Sequence, residues 1–364
     1  MTNQQPITRI VPPSRRLVAS SPGGLVAWWP RSLAASSPSG LILFPMAVRV
    51  GTSGWNYPGG KGTWNGVFYP VRRPRGFDEL AYYAEHFDTV EVNSTFYRQP
   101  DPEHCAAWVR RTPPDFTFAV KLYQKFTHPE MYLEKHGTAE WDVTRGDLDV
   151  FRRGVDPLAA AGRLQALLLQ FPPSFHAGSD TCDYLDWLLS ALPAYPLAVE
   201  LRHKSWSDDQ AGTRTLLDSR HAAWVYIDEP KFAGSIRQTL HRPTPGLVET
   251  LLPAVTTAPA PLCYMRLHGR NAAQWWDHGA AEDRYDYLYT ATELAPFAEA
   301  AREASAAGRQ VVLYLNNHFS SKSVANASVL RHQLGQGLPG EYPREMVDRF
   351  PDLAGLVTTG GLPI

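Results

Sequence analysis

Three pairs of polar residues stand two apart in runs that otherwise read as buried β-strands. They are Glu91/Asn93 in TVEVNS (89–94), Glu200/Arg202 in LAVELR (197–202) and Arg266/His268 in CYMRLHG (263–269). Side chains alternate along a strand, so each pair shares a face. Charges on such a face are costly unless they meet each other or a ligand. Two chemistries follow. Glu91 and Glu200 can serve as acid and base, and a carboxylate pair is also the arrangement of glycoside hydrolysis. Arg202 and Arg266 can grip a carboxylate or phosphate bidentately. For any one of these residues taken alone, the competing reading is an internal ion-pair network, Glu91 or Glu200 with Arg202, Arg266 or Lys121.

Such residues act together only if a scaffold gathers distant strand ends. Eight apolar runs recur: 48–53, 89–94, 116–122, 166–171, 197–202, 223–228, 263–269 and 311–317. Between them lie segments with helical spacing, among them 77–87, 181–192 and 293–308. Near-continuous apolar strands alternating with helices indicate a parallel sheet covered by helices. Eight such units indicate an α/β fold of the single (β/α)8 TIM-type barrel kind, whose sites form at the C-terminal strand ends. A doubly wound sheet is the second choice; no GxGxxG follows a strand and no P-loop occurs. The strand ends carry residues that core packing would not select: Ser53 and Trp55, Tyr97, Lys121, Gln170, Asp228, Arg270, Asn316 and Asn317. Two long connections, 123–165 and the Pro-rich 229–261, read as a lid or added helix and as a surface excursion.

Other chemistries are less well served. His203, His268 and His318 with Glu91, Glu200 and Asp228 have the donor types for Mn or Zn, but no HExxH occurs and the cations nearby oppose a bare divalent ion. Ser53 in GTSGW lacks the GxSxG elbow. The Gly-rich 54–64 lacks a GK[ST] ending. Trp275 and Trp276 suit stacking on a ring or capping of the barrel. His128 reads as a loop residue reaching the mouth, and His86 and His104 as helix-face or loop histidines.

The chain has 364 residues with 44% hydrophobic and 20% charged side chains, which is globular composition. Four of its 35 basic residues (Arg9, Arg15, Arg16 and Arg31) and none of its 36 acidic ones lie in the first 46, which leaves the body at −5. That charge speaks against broad binding to a phosphate backbone. Residues 1–46, rich in Pro and Ser, read as a disordered extension or a mis-set start, with 47–364 as the barrel domain. No apolar run of about 18 residues is present to cross a membrane. Cys105, Cys182 and Cys263 show no CxxC spacing, and the simplest setting is the reducing cytoplasm.

The segments RVGTSGWNYPGGKGTWNGVFYP, FDTVEVNSTFYRQP, FTFAVKLYQKFTHP, LLLQFPPSF, VELRHKSW, YMRLHGRN and LYLNNHFSSKSVANA occur in that order. Together they resemble the YecE-like family, domain of unknown function 72, from about residue 48 onward. The resemblance implies a TIM-type barrel and no established activity. Gly51, Ser53, Trp55, Tyr57, Glu91, Asn93, Tyr97, Lys121, Glu200, Arg202, Arg266, His268, Gly269, Asn316, Asn317 and Asn326 match its motif positions. The expectation is then a small-molecule enzyme for an anionic or sugar-like substrate. Glu91 or Glu200 is the acid/base, and Lys121 and His268 assist. Ser53, Trp55, Tyr57, Asn93, Tyr97, Arg202, Asp228, Arg266, Arg270, Asn316 and Asn317 bind substrate, and no cofactor is called for. The rivals are a nucleic-acid protein holding an end or a flipped base at the mouth, and a non-catalytic ligand-binding barrel.

Overall fold

The computed structural model describes residues 48–137, 141–240, 262–277 and 279–360. The extension expected over 1–46, and most of the excursion expected over 229–261, lie outside the described residues. Nine parallel strand segments form one sheet: β1 (Val48–Ser53), β2 (Thr89–Val92), β3 (Thr117–Lys121), β4 (Leu164–Gln170), β5 (Leu197–Glu200), β6 (Ala222–Trp224), β7 (Tyr226–Asp228), β8 (Cys263–Leu267) and β9 (Val311–Leu315). Their order is β6-β5-β4-β3-β2-β1-β9-β8-β7. The two ends of that order, β6 and β7, are separated in the chain by Val225 alone, whose N–H donates to Val199 O at 2.9 Å. One strand thus changes partner midway, from β5 to β8, and closes the barrel. The eight runs expected from the sequence are the eight barrel strands, the sixth in two segments.

Every residue of β2, β5, β8 and β9 is buried, so these strands are mostly apolar, and their few polar residues (Thr89, Glu91, Glu200, Arg266) must find partners inside the barrel. The barrel interior is polar. Thr89 Oγ1 meets Tyr314 Oη at 2.7 Å, and the Tyr264 and Tyr314 rings lie 5.2 Å apart. This layer lies beneath the charged one described below. Gly51 is required where β1 passes β2: a Cβ there would stand 2.3 Å from the Thr89 carbonyl oxygen.

The covering helices follow their caps. Asp78 caps Glu79–Ala84, and capping boxes start Arg145–Ala160 (Thr144 with Asp147) and Ala291–Ala306 (Thr290 with Glu293). Residues 123–165, expected as a lid or one added helix, hold Pro129–His136 and the full barrel helix Arg145–Ala160. A parallel pair, Glu341–Pro343 with Thr358–Gly360, lies outside the barrel and was not foreseen. One of the three shared-face pairs needs correction. Asn93 is past the end of β2 with α-region torsions (φ −99°, ψ −16°) and opens a short helix, Ser94–Tyr97, so it leaves the face of Glu91. Arg202 and His268 also lie beyond their strands, yet their side chains return to the barrel axis.

Candidate functional site

Arg266 on β8 is the centre of the mouth. Its Nε and Nη2 donate to Glu91 Oε2 and Oε1 at 2.8 and 2.7 Å, a bidentate pair across the barrel. Its Nη1 donates to Gln170 Oε1 at 2.8 Å and to Glu200 Oε2 at 2.5 Å. Tyr264, two residues earlier on the same face, donates to Glu91 Oε2 at 2.7 Å. Arg266, Glu91 and Glu200 are at most 1% exposed. Arg202 Nε donates to Glu200 Oε1 at 2.7 Å, and His268 Nε2 lies 3.2 Å from Arg202 Nη2 and 3.4 Å from Glu200 Oε1. Asn316 Nδ2 is 2.8 Å from His268 Nδ1. The ion-pair network offered by the sequence is therefore present, with both glutamates inside it.

Burial alone would raise the Glu200 carboxyl, but Arg266, Arg202 and His268 outweigh it and hold the group well below the usual carboxylate range. A carboxylate so held is a poor proton carrier near neutral pH, and Glu91 has its oxygens occupied by Arg266 and Tyr264. The acid/base role expected for Glu91 or Glu200 is thus not favoured by the geometry; the sequence carried their types but not their partners. His268, by contrast, is held neutral, lowered to about 3, chiefly by burial.

Lys121 is different. It ends β3, and Thr95 Oγ1 fixes its carbonyl at 2.6 Å. Its Nζ sits 3.9 Å from the centroid of the Phe96 ring. Among the described residues it makes no hydrogen bond and no ion pair. Burial, then the neighbouring Arg266 and Arg202, bring its ammonium down to about 7, against the pull of Glu200 and Glu91. His128 is within the field of Lys121, Arg202 and Glu200, is lowered to about 2 mainly by burial, and packs edge-on to Phe96 at 4.8 Å. It does reach the mouth.

Around this centre lies an aromatic rim. Tyr57 stacks on His318 at 4.2 Å and donates to Ser53 O, and Tyr285 lies 4.8 Å from His318. Tyr97 is 59% exposed. Four buried atoms here have no hydrogen-bond partner among the described residues: Ser53 Oγ, Asn93 Oδ1, Gln124 Nε2 and His318 Nδ1. Unpaired buried polar atoms are uncommon and mark places where a ligand or water completes the bonding.

Other expected site residues lie elsewhere. Asp228 accepts from both arms of Arg270 at 2.8 and 3.0 Å and from Tyr289 at 2.7 Å, and Arg270 also reaches Glu293. Asn317 joins Asn326 at 2.8 Å, and Asn326 holds Tyr289. These residues brace the loop after β8 rather than face the centre. Trp55 packs edge-on against Trp108 of the helix Pro102–Arg110, at 5.6 Å. His203 stacks on His176 at 3.6 Å, and its Nδ1 lies 2.9 Å from Ser205 Oγ. Among the described residues no group of three or more His, Cys, Asp and Glu side chains is placed to hold a metal ion. Glu229, Tyr285 and Gln124 were missed: Glu229 approaches Arg202 at 3.8 Å from the position after Asp228, and the other two sit in the three-residue 3-10 turns Asp283–Tyr285 and Gln124–Phe126, too short to show a period. Tyr264 was signalled by its spacing of two from Arg266.

Among the described residues no helix is long and apolar enough to cross a membrane. The family model "Protein of unknown function DUF72" matches residues 49–346. The UPF0759 protein YunF of Bacillus subtilis (strain 168) is 26% identical over 305 residues, covering 82% of this chain and 99% of that protein. The UPF0759 protein YecE of Escherichia coli (strain K12) is 31% identical over 151 residues, 41% of this chain and 51% of that one. A crystal structure of a DUF72 family protein from Thermotoga maritima MSB8 is 33% identical and superposes with a TM-score of 0.62 over 79% of this chain and 99% of its own. One from Enterococcus faecalis V583, 23% identical, shares the fold with a TM-score of 0.65 over 82% and 100%. With its family match spanning most of its length and its barrel reproduced in solved relatives, the chain belongs to the DUF72 family of uncharacterised proteins.

Proposed function

We propose that the barrel mouth is the active site of a small-molecule enzyme that works by acid/base chemistry on an anionic substrate, with Lys121 as the group that moves the proton. The observation that carries this reading is the half-buried Lys121, its amine over the Phe96 ring, unpaired among the described residues and poised at about 7. In the centre, the charges of Arg202 and Arg266 are matched by those of Glu91 and Glu200. Lys121 has no carboxylate partner of its own among the described residues; its ammonium faces the Phe96 ring. The Arg266 network then serves to fix Arg202 and to shift Lys121, rather than to react.

The test is a thermal-shift screen of the full chain against phosphorylated metabolites, organic acids, sugars, nucleotides, short oligonucleotides and divalent ions, since a ligand of the folded state raises its apparent stability. Small anions are expected to raise the melting point of the wild type, and much less that of Lys121→Met or Arg202→Gln. Turnover of such a compound should rise with pH through about 7, as Lys121 loses its proton. Shifts with divalent ions or oligonucleotides alone would refute the reading. An anion that binds but is never converted, across the whole panel, would make the chain a ligand-binding barrel.

A further inference from the structure

We propose that Lys121 is a nucleophile that forms an imine with an aldehyde or ketone bearing an anionic group, so that the substrate class of this site is a small anionic carbonyl compound. The inference rests on the acid/base reading of the mouth given above. The chain has seven lysines. Lys125 and Lys322 hold Asp147 and Asp286, and Lys135 donates to Tyr97 O. Lys61 and Lys231 are exposed at the surface, Lys231 donating to Ile227 O at 3.4 Å, and the half-buried Lys204 precedes the short helix Ser205–Asp208. Lys121 alone stands at the C-terminal end of a barrel strand, with an aromatic face rather than a carboxylate against its Nζ. An amine meant as a structural cation would be given one of the glutamates 91, 200 or 229. Here Glu91 and Glu200 are committed to arginines, and Glu229 faces Arg202.

That distribution suits covalent chemistry. A lysine becomes nucleophilic when it is desolvated beside other cations, and Lys121 has both features, Arg266 and Arg202 being the cations. In the step, the Nζ lone pair adds to the carbonyl carbon. The C–O bond then breaks, and the oxygen leaves as water with the two amine hydrogens, giving a C=N bond with no net gain or loss of electrons. The unpaired Ser53 Oγ and Gln124 Nε2 can donate to an oxygen of such a molecule, and Asn93 Oδ1 can accept from a hydroxyl.

The experiment is reductive trapping on the full-length wild-type chain. The protein is incubated with pyruvate, glyoxylate or glyceraldehyde 3-phosphate, with uncharged glyceraldehyde as control, then reduced with cyanoborohydride and mapped by peptide mass spectrometry. The expected result is one saturable adduct (the carbonyl compound plus two hydrogens less one water) on Lys121. It should form faster with the anions than with glyceraldehyde and be absent at that peptide in Lys121→Met. Mapping on the wild type keeps the result independent of whether that variant folds. Adducts spread over surface lysines at equal rates, or no adduct with any compound, would overturn the imine proposal. If the thermal-shift screen still finds an anion that depends on Lys121, the acid/base reading survives that failure; if both fail, both fall.

Discussion

At the scale of single residues, two arginines of the same type, both bound bidentately to a carboxylate, should behave very differently. Arg266 is 1% exposed and lies between two buried glutamates, whereas the Arg270 side chain is 40% exposed over Asp228. Removing one partner of a buried pair leaves the other charge uncompensated in a medium that solvates it poorly, at a cost of about 3–5 kcal/mol. An ion pair near water gains little, because water and salt already stabilise its members, and its loss costs about 1 kcal/mol or less. Arg266→Met is therefore expected to lower unfolding stability in urea by about 3–5 kcal/mol, and Arg270→Ala by clearly less, because water reaches the side that Arg270 vacates and Tyr289 still donates to the buried Asp228. Equal losses in the two variants would contradict the division drawn here between a buried central network and a lateral brace. The same argument disqualifies Arg266→Ala as a test of ligand binding, since the fold would suffer before the ligand did.

At the scale of elements, close packing rather than propensity decides where change is tolerated. Gly146 and Gly154 lie on the same helix, Arg145–Ala160. A Cβ at Gly146 would meet only Thr144 Oγ1 at 3.5 Å, while one at Gly154 would stand 2.3 Å from the Pro100 carbonyl oxygen. Gly146→Ala should be neutral or stabilising by up to about 1 kcal/mol, as helix propensity favours. Gly154→Ala should destabilise by about 1–3 kcal/mol through forced separation of the helix from the 98–101 turn. Thermal denaturation of the two variants tests the contrast, and a harmless Gly154→Ala would mean that the helix is free to slide. The elements themselves were largely legible, because a barrel strand buried on both faces is apolar along most of its length, as VVLYL and LQALLLQ are. Partner exchange at Val225 was not legible: the residue is as apolar as its neighbours, and only the three-dimensional tilt of the strand decides which side each half pairs with. Nor was the turn at Asn93, where the local backbone overrides the alternation that placed it beside Glu91. The charged members of the site were visible by type and spacing, but which charge meets which depends on contacts across the barrel, such as Glu91 with Arg266, 175 positions apart.

At the scale of the whole molecule, the barrel holds several imidazoles neutral at once, and its stability must therefore depend on pH in a defined sense. His268 is lowered to about 3, His128 to about 2 and His318 to about 3, each chiefly by burial, from an ordinary value of 6.5. Below that value the unfolded chain takes up protons that the folded chain refuses, so stability falls as the pH drops from 6.5 toward 3. Glu200, held low by Arg266 and Arg202, adds a second loss only as the pH falls below the ordinary carboxyl value of 4.5. The acid limb should accordingly begin two units above the range of the carboxylates. For the fully buried His268, the loss between pH 6.5 and 5 is at most about 2 kcal/mol, at 1.36 kcal/mol per unit. Lys121 works in the opposite region. Its ammonium is lowered to about 7 from 10.5, so the folded chain binds fewer protons than the unfolded one between those values, and stability rises with pH there. Urea denaturation from pH 5 to 10 tests both limbs. His318→Phe, which can keep the stack on Tyr57 but cannot titrate, should flatten the slope between pH 6.5 and 5. Lys121→Met should be more stable than the wild type near pH 7, by a margin that shrinks toward pH 10. A wild-type curve level from pH 7.5 down to 5, or a Lys121→Met variant with an unchanged alkaline slope, would show that these groups stay solvated and that the mouth lacks the dry, charge-matched centre on which its chemistry depends.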